Sequence, residues 1–241
     1  MKLTKVILQL FFIALLIGVL GFTNMRHKSN KCQDYKINLL NNTPSFLTHG
    51  DVLLMIESEV DSIIGYPINQ LPLHSIEMNI ENKSSIENAE VYISLDNCLH
   101  VEVQQKNPIV RVKQLSGQEF YMDRNGAIFD LSLNHTERIL VANGHIKDSL
   151  DLRKVHQLAK HINSIPFWKS QIVQIYVDAQ RDIELIPRVG NHTILLGGID
   201  DYKGKFKKLK LFYERGVQQT GWNNYQQINL KYKDQIVCVK K

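Results

Sequence analysis

The sequence predicts an α+β chain: a single N-terminal transmembrane helix, a βααββ unit, and then a β-rich second domain with two helices. Three observations carry this reading. Residues 6–22, VILQLFFIALLIGVLGF, form one long oily run. Apolar residues at helical spacing between Val52 and Ile80 give way to period-two alternation from Val91 to Val103. Beyond Asn107-Pro108, short β-branched runs alternate with Gly-, Asn- and Asp-containing turns.

Residues 1–5, with Lys2 and Lys5, read as a short head, and residues 6–24 as the span, close to the roughly 20 residues a helix needs to cross hydrocarbon. No small-x-small cleavage site follows Phe22, and Cys32 lies well past the run, so a retained anchor is expected rather than a cleaved signal. Lys2 and Lys5 before the run nearly balance Arg26, Lys28 and Lys31 after it, so charge leaves the orientation tied. Residues 25–35 read as a basic spacer able to touch lipid headgroups.

Residues 36–106 are expected to form the βααββ unit. A strand over 35–40 ends at Asn41-Asn42-Thr43-Pro44. Thr48 caps a helix with Asp51 in its first turn, and Val52, Leu53, Ile56, Val60, Ile63 and Ile64 form its stripe as far as Gly65. A second helix over 73–82 puts Leu73, Ile76 and Ile80 on one face. A hairpin of 89–95 and 99–104 closes around Asp96-Asn97-Cys98.

Residues 107–241 are expected to be β-rich. Strands 109–112 and 119–122 join through Ser116-Gly117, and 127–129 resume after the Asp123-Arg124-Asn125-Gly126 turn. Residues 131–137 read as irregular, and 138–149 are assigned no element. A helix over 150–163 turns Leu152, Val155, Leu158, Ala159 and Ile162 inward, with Pro166 ending the linker after it. Strands follow at 172–177, 183–187 and 193–196. A basic helix over 200–215 presents Tyr202, Phe206, Leu209, Leu211 and Phe212. Strands 227–232 and 235–239 close the chain.

Net charge is +5, with base concentrated only at 26–31 and 203–210, which argues against a nucleic-acid surface. Cys32, Cys98 and Cys238 have neither metal-ligand spacing nor an even count for disulfides. His156 and His161 stand five apart, on different helix faces. Asp200-Asp201 suit a helix cap better than a cation loop. The Asp123 turn lacks the closing Glu of a calcium loop. No catalytic residue, cofactor or metal is therefore expected, and the chain reads as a non-enzyme.

Taken in order, several stretches resemble the bacterial cell-division family FtsQ/DivIB. They are Phe46-Leu47-Thr48 with its helix, Ile86-Glu87-Asn88-Ala89-Glu90-Val91, and Leu99-His100-Val101-Glu102-Val103-Gln104-Gln105-Lys106-Asn107-Pro108-Ile109. The most specific is Tyr121-Met122-Asp123-Arg124-Asn125-Gly126-Ala127-Ile128-Phe129; Thr193-Ile194-Leu195-Leu196-Gly197 and Ile228-Asn229-Leu230-Lys231-Tyr232 follow. Gln105-Lys106 replaces the family's Glu-Arg, and Asn229 and Lys231 stand where the family has Asp and Arg.

The resemblance implies a POTRA domain at 36–106 and an FtsQ/DivIB-type domain at 107–241. It places the chain as a single-pass protein of the cytoplasmic (inner) membrane at the division septum, with its N-terminus cytoplasmic and its bulk periplasmic. It implies a non-enzymatic scaffold that recruits FtsL-like and FtsB/DivIC-like bitopic proteins and links them to FtsW/FtsI-like septal synthase components. Membrane lipid is the remaining expected contact, and nucleic acid is not one. A terminal strand with a free edge can add a partner's strand, so Tyr225, Ile228, Leu230, Lys231, Tyr232 and Ile236 are the expected partner-binding residues. The alternative is a POTRA-type chaperone or docking module for protein transport or outer-membrane assembly, although repeats and barrel strands are lacking.

Overall fold

A computed structural model of the chain describes residues 13–18, 30–40, 46–132, 138–217 and 221–241. They fall into two compact units that part between Gln105 and Lys106.

The expected transmembrane helix is corrected. Among the described residues no helix is long and apolar enough to cross a membrane. Of the expected span only 13–18 is described, helical and exposed, and such a piece rises about 9 Å against a hydrocarbon core of about 30 Å. Residues 6–12 and 19–24 lie outside the described residues. The fold supported is the βααββ unit followed by the β-rich unit.

The first unit contains β1 (Asp34–Leu39), α1 (His49–Glu57), α2 (Leu73–Glu81), β2 (Ile86–Ile93) and β3 (Cys98–Gln105). Its sheet has the order β1-β3-β2, with β1 parallel and β2 antiparallel to β3. A reciprocal cap starts α1: Asp51 N–H donates to Thr48 Oγ1 at 3.2 Å, and Thr48 N–H donates to Asp51 Oδ2 at 2.8 Å. The backbone and hydroxyl bonds from Thr48 hold the Asp51 carboxyl below its usual pKa.

The stripe expected to continue α1 to Gly65 breaks off at Glu57. Val60 and Ile63 are still buried, but from the connecting segment, and Ile64 is exposed. Gly65 N–H donates to Cys32 O at 2.8 Å and Cys32 N–H to Tyr66 O at 2.9 Å. That tie to the chain before β1 pulls the segment off the helix axis. Val52, Ile56, Ile76 and Ile80 then pack on Leu99, Val101 and Val103 of the sheet.

The second unit contains β4 (Pro108–Gln114), β5 (Glu119–Asp123), β6 (Ile128–Phe129), β7 (Leu140–Gly144), α3 (Ser149–Ser164) and α4 (Pro166–Gln171). It continues with β8 (Ile172–Val177), β9 (Ile183–Pro187), β10 (Thr193–Gly197), α5 (Tyr202–Phe212), β11 (Tyr225–Asn229) and β12 (Val237–Lys240). The nine strands of the described residues form one sheet of order β12-β11-β10-β9-β8-β7-β4-β5-β6.

Among the described residues three α-helices accompany this sheet rather than the expected two. Pro166 opens α4 instead of sitting in a linker, since the first helical position has no intrahelical bond for its missing N–H to make. The sequence pattern marks no element at β7, yet this strand lies inside the sheet, parallel to both β4 and β8. Residues 133–137, within the stretch expected to be irregular, lie outside the described residues.

In α5 the inward stripe is Phe206, Leu209 and then Tyr213 in a following π-helical turn. Leu211, expected inward, is exposed because it falls off that stripe. Asp201 caps α5, its Oδ1 accepting from Gly204 N–H at 3.3 Å. Trp168 packs edge-on to Phe206, so α4 and α5 share one aromatic core.

Candidate partner-binding edge

The last two strands decide which backbone groups the second unit leaves open. β11 runs parallel to β10, and β12 runs antiparallel to β11 with Gln227 opposite Val239 and Asn229 opposite Val237. In the sheet order β12 has a neighbour on one side only, so its outer edge is open among the described residues. Lys241 N–H donates to Asn224 O at 3.1 Å. Because donors alternate along an antiparallel strand, Val237 and Val239 aim their N–H groups at β11 while Cys238 and Lys240 aim theirs outward. Val237, Val239 and Lys240 are exposed. Lysines at the end are a usual edge guard, yet the two valines leave apolar side chains beside the open backbone.

The strand boundaries differ from those expected by one to three residues. β11 ends at Asn229, where Lys231 N–H donates to Asn229 Oδ1 at 2.9 Å and turns the chain. Leu230 N–H still reaches Leu195 O at 2.9 Å. The expected partner-binding residues therefore separate into two groups. Tyr225, Ile228 and Leu230 are buried and hold β11 in the core, with Tyr225 edge-on to Phe212 at 5.5 Å. Lys231 is tied by Nζ to Asp182 Oδ2 at 2.5 Å, which raises its pKa. Tyr232 is exposed, and Ile236 is half-buried against the core.

Residues that sequence reasoning passed over set the edge in place. Lys208 Nζ donates to Tyr232 O at 2.5 Å and Lys233 O at 2.8 Å, fastening the β11–β12 connection to α5. Lys205 Nζ donates to Leu196 O and Gly198 O, and burial lowers its pKa. Part of the basic run thus grips backbone rather than facing water. A lysine run by itself carries no signal of this, because the carbonyls belong to the end of β10, the residue after it and the β11–β12 connection, which only the fold brings to α5.

Ahead of β11, His192 is buried, its Nε2 lies 2.9 Å from the Tyr213 hydroxyl, and its ring stacks on Trp222. Burial pushes the Tyr213 phenol up, so it stays protonated beside the imidazole. Burial is also the main cause lowering the pKa of His192, with Lys241 adding to it against the Trp222 backbone, and burial and Lys203 lower that of His161. Below about pH 6.5 the unfolded chain takes up protons that the folded chain resists. Stability of this unit is therefore expected to be full above that pH and to fall as pH drops, by at most about 1.4 kcal/mol per pH unit for each histidine. His192→Gln should flatten the slope of unfolding free energy between pH 7 and 5; an unchanged slope would rule out His192 as its source.

The first unit manages its edges differently. Ala89 N–H donates to Glu81 Oε1 at 3.1 Å, and Val91 N–H donates to Glu77 Oε2 at 3.2 Å. Two carboxylates one helical turn apart on α2 thus occupy outward donors of β2, the donors a visiting strand would need. A Glu77→Ala/Glu81→Ala double variant is expected to free that edge and to self-associate with rising concentration in sedimentation equilibrium. A strictly monomeric double variant would show that the carboxylates do not guard it.

Residues 107–239 match the family described as FtsQ/DivIB, C-terminal related, and residues 30–104 match a POTRA-like domain. No curated protein matches the chain.

Proposed function

Since the chain belongs to the FtsQ/DivIB C-terminal related family, we propose that it is a non-enzymatic scaffold of the septal division complex, which recruits FtsL-like and FtsB/DivIC-like partners and couples them to septal wall synthesis. Its two domains fit a cell-division scaffold role, and the family interacts with divisome proteins in general. The single observation that supports the finer reading is the outer edge of β12, with outward donors at Cys238 and Lys240 beside exposed Val237 and Val239. A partner strand laid there gains backbone hydrogen bonds, and its alternate side chains meet the valines. The Glu77 and Glu81 bonds occupy the β2 edge, which weighs against substrate capture by strand addition on that side.

Depletion tests the reading. Cells losing the protein are expected to filament with unconstricted septa and to recover on re-expression of wild type. Depleted cells that divide at normal length would refute it.

A further inference from the structure

We propose that a basic cavity at the end of the second sheet where β7 and β8 begin is a docking site for an acidic peptide segment of a partner protein. The cavity measures about 550 Å³, within the range of formed ligand sites. Arg111 from β4, Arg138 just before β7, Lys169 from α4 and Arg188 just after β9 line it, and among the described residues no Asp or Glu does. Four cations thus converge from four separate segments.

Their charge is largely uncompensated among the described residues. Glu119 serves both Arg111, at 3.1 Å from Nε, and Lys113, at 2.8 Å, so one carboxylate faces two cations. Arg188 Nε donates to the neutral Ser170 carbonyl at 3.0 Å, which fixes the guanidinium without cancelling its charge. Arg138 and Lys169 are exposed. They hold no ion pair among the described residues.

The remaining lining separates a peptide from a phosphate. Leu140, Val141, Ile162 and Ile172 give the cavity apolar surface, which an isolated phosphate would leave unused. The helix end that meets it is the C-terminus of α3 at Ile162 and Asn163, which offers no free helix-start N–H groups to cradle a phosphate. Asn163 Nδ2 is already spent on Ile109 O and Ala159 O. A segment alternating carboxylates with apolar side chains would satisfy both surfaces, and guanidinium forks match carboxylates two bonds at a time. Three strands, β9 to β11, stand between β8 and β12 in the sheet order, so this site stands or falls separately from the β12 edge.

The experiment titrates the full chain with a capped hexapeptide alternating Glu and Leu, following backbone amide resonances. Val141 and Gln174 are expected to shift. Affinity should drop about tenfold in Arg138→Gln/Lys169→Gln, as loss of roughly 1.4 kcal/mol of binding requires. Because both side chains are exposed, this variant should keep the wild-type tryptophan-fluorescence unfolding midpoint; Arg188→Gln serves as the second variant if it does not. Absence of shifts at these amides overturns the proposal, as does equal binding of the Gln-Leu hexapeptide. Tighter binding of inorganic pyrophosphate at the same amides would make this a phosphate site and also overturn it. Preferential capture by phosphatidylserine vesicles over the peptide would do so in favour of a lipid surface.

Discussion

Lys240→Pro is expected to weaken binding of a soluble FtsB/FtsL-like partner pair by about tenfold or more, while Lys240→Ala leaves it nearly unchanged. Lys240 lies in β12 with its N–H directed away from β11, given the inward bond of Lys241 to Asn224. Proline there removes a donor that the folded unit itself does not use, and its ring intrudes where an added strand would lie. Alanine keeps the donor. Val239→Pro is the opposing control: Val239 pairs with Gln227, so proline there breaks the internal ladder and should lower stability as well as binding. The measurement is a binding titration of each variant with its unfolding transition recorded alongside. A Lys240→Pro protein of normal stability that binds like wild type would place the contact away from this edge.

Gly144→Ala is expected to destabilise the second unit by about 3 kcal/mol or more, among the larger single-residue effects. Gly144 ends β7 at φ 96°, in the region that favours glycine, and an added Cβ would stand 2.2 Å from Val177 O and 3.0 Å from Val177 N. Val177 is paired backbone in β8 and cannot yield as a side chain tip would. Trp168 and Trp222 both lie in the second unit, so a denaturant titration followed by tryptophan fluorescence reports that unit alone. A midpoint within error of wild type would mean that β7 and β8 part easily at this end.

Much of the fold was written locally. The Thr48–Asp51 capping box, the Ile76–Ile80 face, the Asp123-Arg124-Asn125-Gly126 turn and the alternation through Val101 and Val103 each depend on neighbours a few residues away, and each could be named from the sequence. β7 could not. Leu140-Val141-Ala142 is a short apolar stretch without alternation in sequence, although its burial alternates in the sheet, and such a run has no period to read. The break in α1 was equally hidden, because the apolar stripe continues past Glu57 while the bonds between Cys32 and the Gly65-Tyr66 pair end the helix.

The candidate edge shows the same division. The sequence by itself determined that strands close the chain, that Ile228 and Leu230 share a face, and that the family's motifs stand in order. Only the tertiary structure decided that this face points into the core, that Lys231 is held by Asp182, and that the open donors belong to Cys238 and Lys240. The four cations of the basic cavity, at positions 111, 138, 169 and 188, are scattered along the chain. The physical reason is one of range. Periodicity and capping are set by contacts within a few residues, whereas the direction of an edge N–H and the convergence of distant charges depend on which strands pair, and pairing is settled by burial over the whole sheet.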